Sequence, residues 1–193
     1  MTKARLEAFS DGVIAIIITI MVLELRTPAS ADWAALGPLM PVFLSYLLSF
    51  IYVGIYWNNH HHLFQVTHHV TGGVLWANLN LLFWLSLTPF VTAWMGETGF
   101  AAAPVGAYGG VLLLSAIAFT VLTRALVAAD GKDSPIARAL GDDAKGRISL
   151  ALYVIAVALS PFARYGSCAI YAIVAMIWLV PDRRMERVVS PRA

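Results

Sequence analysis

The chain has 193 residues, of which 60% are hydrophobic and 12% charged, with a formal net charge of +2. An ordinary soluble domain is about 25% charged, so water is not the main solvent of this protein. Its basic residues fall at the ends of apolar runs and in one loop, with no stripe that could follow phosphates, which disfavours nucleic acid as a partner.

Apolar segments cover residues 6–25, 38–57, 74–95 and 104–123, each close to the ~20 residues that a bilayer span requires. The last apolar stretch, residues 148–180, would be about 50 Å long as a single helix, against a hydrocarbon core of about 30 Å. Pro161, Arg164 and Gly166 interrupt it, so it divides into two short helices, residues 148–163 and 165–180, joined by a tight turn. The expected fold is all-α and integral to the membrane, a single domain over residues 1–193 with six transmembrane helices. Lys3 and Arg5 resemble the charged start of a signal peptide. Glu24, Leu25 and Arg26 provide no small-residue cleavage site, however, so the first helix is expected to be retained.

An even number of spans puts both termini on one side. Lys3, Arg5, Arg124, Lys132, Arg138, Lys145, Arg147, Arg183, Arg184, Arg187 and Arg192 share that side, and only Arg26 and Arg164 fall on the other. The bias predicts cytoplasmic termini in a multi-pass protein of the cell inner membrane or plasma membrane. It also places the segment 58–73 inside, with all five histidines, His60, His61, His62, His68 and His69.

The first helix carries the chemistry. Were Phe9-Ser10-Asp11-Gly12 a helix cap, only about 13 apolar residues would follow, too few to cross a bilayer. The helix therefore begins near Leu6, and Asp11 lies within the span, where a carboxylate costs up to about 3 kcal/mol unless it meets a partner or a water-filled cavity. The cap is the competing interpretation. Further along, Ile16, Ile20 and Leu23 share a face with Thr19 beside them, which in an apolar helix ordinarily means packing.

Arg5-Leu6-Glu7-Ala8-Phe9-Ser10-Asp11 matches the RxxxFSD signature of the transmembrane protein 175 family, the endosomal and lysosomal potassium channels and their bacterial relatives. The continuation to Leu23-Glu24-Leu25 and the segment 57–64 also resemble bacterial members. The resemblance implies a potassium-permeable cation channel with no cofactor, a homotetramer in which first helices surround an axial pore. Carried over by position, Ile16, Ile20 and Leu23 form apolar constrictions, and Thr19 offers oxygens near the pore. Arg5, Phe9, Ser10 and Asp11 belong to a polar cluster with Trp57 and one or more of His60, His61 and His62. Glu24 stands at the outer pore mouth. The TVGYG carbonyl filter is missing, and no carboxylate falls at mid-membrane in the first helix, so selectivity for potassium over sodium should be modest.

For the histidines, structural hydrogen bonding is favoured over pH sensing and metal binding, because adjacent histidines point in different directions and the nearest acidic residues are distant in sequence. Asn78 and Asn80 read as interhelical hydrogen-bonding groups, and residues 129–146 as a solvated linker carrying Asp130. No nucleophile elbow, P-loop, zincin or dinucleotide fingerprint occurs, which disfavours an enzyme. The alternative to a channel is a small proton-coupled secondary transporter using Asp11 and the histidines, although no inverted repeat with broken helices supports it.

Overall fold

The computed structural model describes residues 2–140 and 143–179. Along them run α1 (Lys3–Leu23), α2 (Met40–Gln65), α3 (Gly72–Ser86), α4 (Thr88–Glu97), α5 (Ala102–Asp130), α6 (Pro135–Leu140), α7 (Ala144–Leu159) and α8 (Arg164–Leu179). A 3-10 helix, Trp33–Leu39, leads into α2. Four stretches are long and apolar enough to cross a bilayer: Lys3–Leu23, Trp33–Gln65, Gly72–Glu97 and Ala102–Asp130. The 16-residue α7 and α8 follow, α8 being apolar as well.

Several boundaries differ from those expected, for physical reasons. The first helix starts at Lys3 and runs unbroken through Asp11 and Gly12, so the motif lies inside the helix and caps nothing. The second was expected to end at Trp57, where the apolar run stops, but α2 continues to Gln65. His60, His61 and His62 are therefore helical, and only His68 and His69 lie in the connecting segment. Polar residues extend α2 because they find partners: Asn59 Nδ2 donates to the Ile55 carbonyl at 2.8 Å, and Gln65 Nε2 donates to His61 Nε2 at 2.7 Å. The third stretch, expected as one helix over 74–95, is two helices meeting at Leu87, since Pro89 lacks an N–H and its ring cannot follow an undisturbed preceding turn. The fourth, expected over 104–123, extends to Asp130. The last two lie at 144–159 and 164–179 where 148–163 and 165–180 were expected. Val180, Asp142 and the arginines Arg183, Arg184, Arg187 and Arg192 lie outside the described residues.

Two cores hold the helices. Around α1, Leu6, Ile14 and Ile17 pack with Leu63 and Phe64 of α2, Leu81 of α3 and Leu122 of α5. The second core gathers Tyr52, Tyr108, Tyr153 and Tyr171 from α2, α5, α7 and α8 with Met95 of α4. Lipid gives helices little hydrophobic reason to associate, so close packing and interhelical hydrogen bonds must do it. Tyr52 Oη donates to the Tyr171 carbonyl at 2.6 Å, Tyr171 Oη to the Val105 carbonyl at 3.1 Å, and Ser49 Oγ to Tyr108 Oη at 3.0 Å.

Gly109 permits this arrangement. A Cβ on it would strike the buried Tyr171 hydroxyl and come within 2.8 Å of Val157 Cγ2. Gly109→Ala should therefore displace Tyr171, break its bond to Val105 and cost about 1–3 kcal/mol. The measurement is thermal unfolding of the detergent-solubilised protein, with Gly110→Ala as the control, since nothing lies within 4 Å of a Cβ there.

Candidate functional site on the first helix

Two faces of α1 have different fates. Leu6, Ser10, Ile14, Ile17 and Met21, spaced by four, four, three and four residues, turn into the protein and are buried. On the other side Phe9, Ile16, Ile20 and Leu23 are exposed, Ile16 at 58%, Ile20 at 42% and Leu23 at 82%. Thr19 is exposed as well, its hydroxyl donating to the Ile16 carbonyl at 2.9 Å. One stripe is committed to this subunit, and the other is left open by it.

A buried polar chain fixes which stripe is which. Ser10 Oγ donates to the Leu6 carbonyl and accepts from Asn78 Nδ2, both at 2.9 Å. Asn78 Oδ1 lies 2.8 Å from His60 Nε2, so the imidazole carries its proton on that nitrogen. Its ring also packs on Phe64, with centroids 4.6 Å apart. Ser10, Asn78 and His60 are all buried. Three helices, α1, α3 and α2, thus meet at one satisfied polar group each, as an environment without water demands.

Asp11 belongs to a different group. Its carboxylate accepts from Trp57 Nε1 at 3.0 Å, and the Trp57 ring stacks on His61 with planes 16° apart. Trp57, His61 and Gln65, four residues apart, make a ladder along the outward side of α2 beside α1. His62 Nδ1 lies 3.4 Å from Gln65 Oε1. The structure therefore brings the eight motif residues together only in part. Ser10 joins His60, Asp11 joins Trp57 and His61, and Arg5 is exposed, with no side-chain hydrogen bond or ion pair among the described residues. Among the described residues no histidine is hydrogen-bonded to Asp11.

At the far end of α1, Glu24 is exposed, and Arg26 pairs with Glu97 at the end of α4. Partial burial first, and the negative charge of Glu97 second, raise the Glu24 carboxyl above its ordinary value. At the near end stand two residues that pattern reading does not single out. Lys3 bonds the segment after α2, and Asp130 bonds His68 and His69, so the distance in sequence between histidines and acids is not a distance in space. Asp130 is the end of α5 and no part of a solvated linker. Among the described residues no group of three or more His, Cys, Asp or Glu side chains is placed to hold a metal. A cavity of about 90 Å³ lies between α2, α5, α7 and α8, lined by Tyr56, Asn59, Phe119, Tyr153 and Trp178 among others, and no residue of α1 lines it.

The sequence matches the family model described as endosomal/lysosomal potassium channel TMEM175 over residues 5–89, from the motif into the start of α4. It is 54% identical over 187 residues to a potassium channel of Chryseobacterium sp. (strain P1-3), covering 97% of each chain. Bovine (Bos taurus) endosomal/lysosomal proton channel TMEM175 is 42% identical over 76 residues, 33% of this chain and 16% of that protein. The fold is similar to the crystal structure of a lysosomal potassium-selective channel TMEM175 homolog from Chamaesiphon minutus, with a TM-score of 0.82 and 29% identity over 94% of this chain and 97% of that one.

Replacing Asn78 by Leu should leave the Ser10 hydroxyl and the His60 N–H without their partner in an apolar site and cost about 1–3 kcal/mol. Thermal unfolding in detergent measures it. The Asn78→Leu variant should lose markedly more stability than Trp57→Phe, which deletes only the half-exposed bond to Asp11.

Proposed function

The chain belongs to the endosomal/lysosomal potassium channel TMEM175 family, and from that premise we propose that it is a potassium-permeable channel whose conducting path runs along the open face of α1. The observation that carries the proposal is the exposed apolar stripe of Ile16, Ile20 and Leu23 on a helix whose buried face is fixed by Ser10. In this reading the subunit crosses the membrane six times, with α3 and α4 forming one kinked span and α7 and α8 the last two. Four copies assemble with their α1 helices around the axis.

The chemistry follows from that placement. Rings of Ile16, Ile20 and Leu23 give a permeating ion no oxygens, so a narrow ring closes the path by dewetting and a wider one lets hydrated ions pass. Thr19 supplies oxygens between two such rings, and four Glu24 carboxylates at the outer mouth would concentrate cations there. Selectivity for potassium over sodium is accordingly modest. Ser10, Asp11, Trp57, His60, His61 and His62 act as the frame that holds α1 within the subunit, Arg5 and Phe9, which the subunit leaves open, hold it against the neighbouring copies, and none of the eight binds an ion. The distribution of basic residues supports cytoplasmic termini, and Lys3, the segment 66–71 and the end of α5, which share that predicted side, sit together at one end of the bundle. Transport is passive. The transporter alternative lacks support in the geometry, since Asp11 meets Trp57 and the one cavity named above lies away from α1.

Reconstituted in vesicles, the protein should carry potassium with a reversal potential that follows the potassium gradient whether or not a proton gradient is present. Flux strictly coupled to protons would refute the channel. Ile16→Asn and Leu23→Asn should each raise flux about tenfold, the effect of removing about 1.4 kcal/mol from a barrier. If both variants conduct as the parent does, α1 does not line the path.

A further inference from the structure

The inner end of α1 is tied to the rest of the subunit by contacts that lie outside the motif. Lys3 Nζ donates to the Thr67 carbonyl at 3.0 Å and lies 3.5 Å from that of Gln65. These two carbonyls close α2 and open the segment 66–71 that leads to α3. On the next two residues, the backbone N–H groups of His68 and His69 donate to Asp130 Oδ2 and Oδ1, each at 2.8 Å. His69 Nδ1 adds a third contact to Oδ1 at 3.0 Å. Asp130 is the last residue of α5, and its side chain is only 1% exposed.

The segment between is held in other ways as well. Thr67 is buried, with its hydroxyl bonded to the Leu63 carbonyl at 2.8 Å, and Thr71 caps α3 by accepting from the Val74 N–H. It cannot yield easily between its two anchors. Charge-assisted bonds to backbone are about twice as strong as neutral ones, and here one cation and one anion grip neighbouring peptide groups of a short connection from opposite sides. A simple loop staple would need only one of them. With both, the first turn of α1 is linked to the last turn of α5 through four consecutive residues, 66–69 and the carbonyl of Gln65.

We propose that Lys3 and Asp130 are positioning residues for conduction: they clamp the segment 66–71 between the inner ends of α1 and α5 and so set how far α1 tilts or turns. The proposal rests on α1 being the helix that lines the path. Ser10 fixes the rotation of α1 at its second turn, and the clamp fixes the height and lean of its first. Any movement that widens the ring at Ile16 must either break this clamp or carry the segment with it. No ion touches Lys3 or Asp130 in this scheme, and both act through the position of the helix.

The test uses the full chain in vesicles, with K3Q, K3R, D130N and the double variant K3Q/D130N. K3Q and D130N should each change potassium flux about fivefold, in the same direction, as expected of a coupling free energy near 1 kcal/mol. The double variant should change flux no further than the larger single, because both act through one segment, and K3R should keep the parental value. Independently of flux, amide hydrogen exchange over residues 3–9 should speed up by about fivefold in D130N, a site at the far end of another helix. Unchanged flux in K3Q and D130N, additive effects, or unchanged exchange in D130N would each overturn the proposal. Lys3 belongs to neither core, so loss of the fold does not obscure the K3Q result. Should the unmodified protein carry no potassium at all, the channel reading falls, and the exchange measurement alone decides whether the clamp holds α1.

Discussion

Rotation of α1 about its own axis is the quantity on which the rest depends, and a single buried serine sets it. With 3.6 residues per turn, placing Ser10 against Asn78 commits Leu6, Ile14, Ile17 and Met21 to the same side, and thereby turns Ile16, Ile20 and Leu23 roughly 110° away from it, out of the subunit. Apolar contacts alone would not achieve this. Beyond Gly12 nearly every face of α1 is apolar, lipid solvates any of them equally well, and such a helix could settle at several rotations of nearly equal energy. A hydroxyl that must meet an amide, which in turn must meet an imidazole, leaves one rotation satisfied and the others with orphaned polar groups in a medium that offers no water. Buried polarity here acts through specificity more than through strength.

The same economy applies to the second core. Tyrosines from four helices pack on one another, and two of them, Tyr52 and Tyr171, give their hydroxyls to backbone carbonyls of neighbouring helices. Those carbonyls already serve their own helical ladders, and a second lone pair makes them available without breaking anything. Glycine at position 109 brings α5 close enough for Tyr171 to reach across. Polar α1 fixes a rotation, and the tyrosine cluster fixes the separation of α2, α5, α7 and α8 behind it, so the pore-lining helix of the proposed channel leans on a rigid wall.

Much of this was legible in the sequence, and what was not has a common cause. Span length weighed against Asp11 as a cap outside the membrane, and α1 indeed runs through it. The apolar run from Ile148, with Pro161, Arg164 and Gly166 breaking it, identified α7 and α8 and the turn between them. The RxxxFSD residues identified the family before any fold was known. The end of α2 was misplaced because a hydropathy pattern stops at Asn58 whereas hydrogen bonding does not, and His60 stays helical on the strength of a partner eighteen residues away. Asp130 was placed in a linker because its partners, His68 and His69, lie more than sixty residues back. Local periodicity shows which face of a helix is apolar. It does not show which distant polar group meets another, and in this protein those meetings decide how the helices are set.

A path bounded by isoleucine and leucine differs in kind from one bounded by carbonyl oxygens. A carbonyl filter replaces the water around an ion and so reads its size, whereas an apolar ring offers nothing and simply sets whether water, and with it the hydrated ion, passes. Conductance through such a ring depends steeply on radius and weakly on which alkali ion is present. The position of the helix backbone, and not side-chain chemistry at the constriction, then becomes the controlled variable. That places the regulatory burden on whatever holds α1 from behind and below: Ser10 with Asn78 and His60, Asp11 with Trp57, and Lys3 on the segment that Asp130 grips. Ser10 and Asp11 sit between one and two turns before the first of the proposed rings, where in the proposed channel they locate the helix.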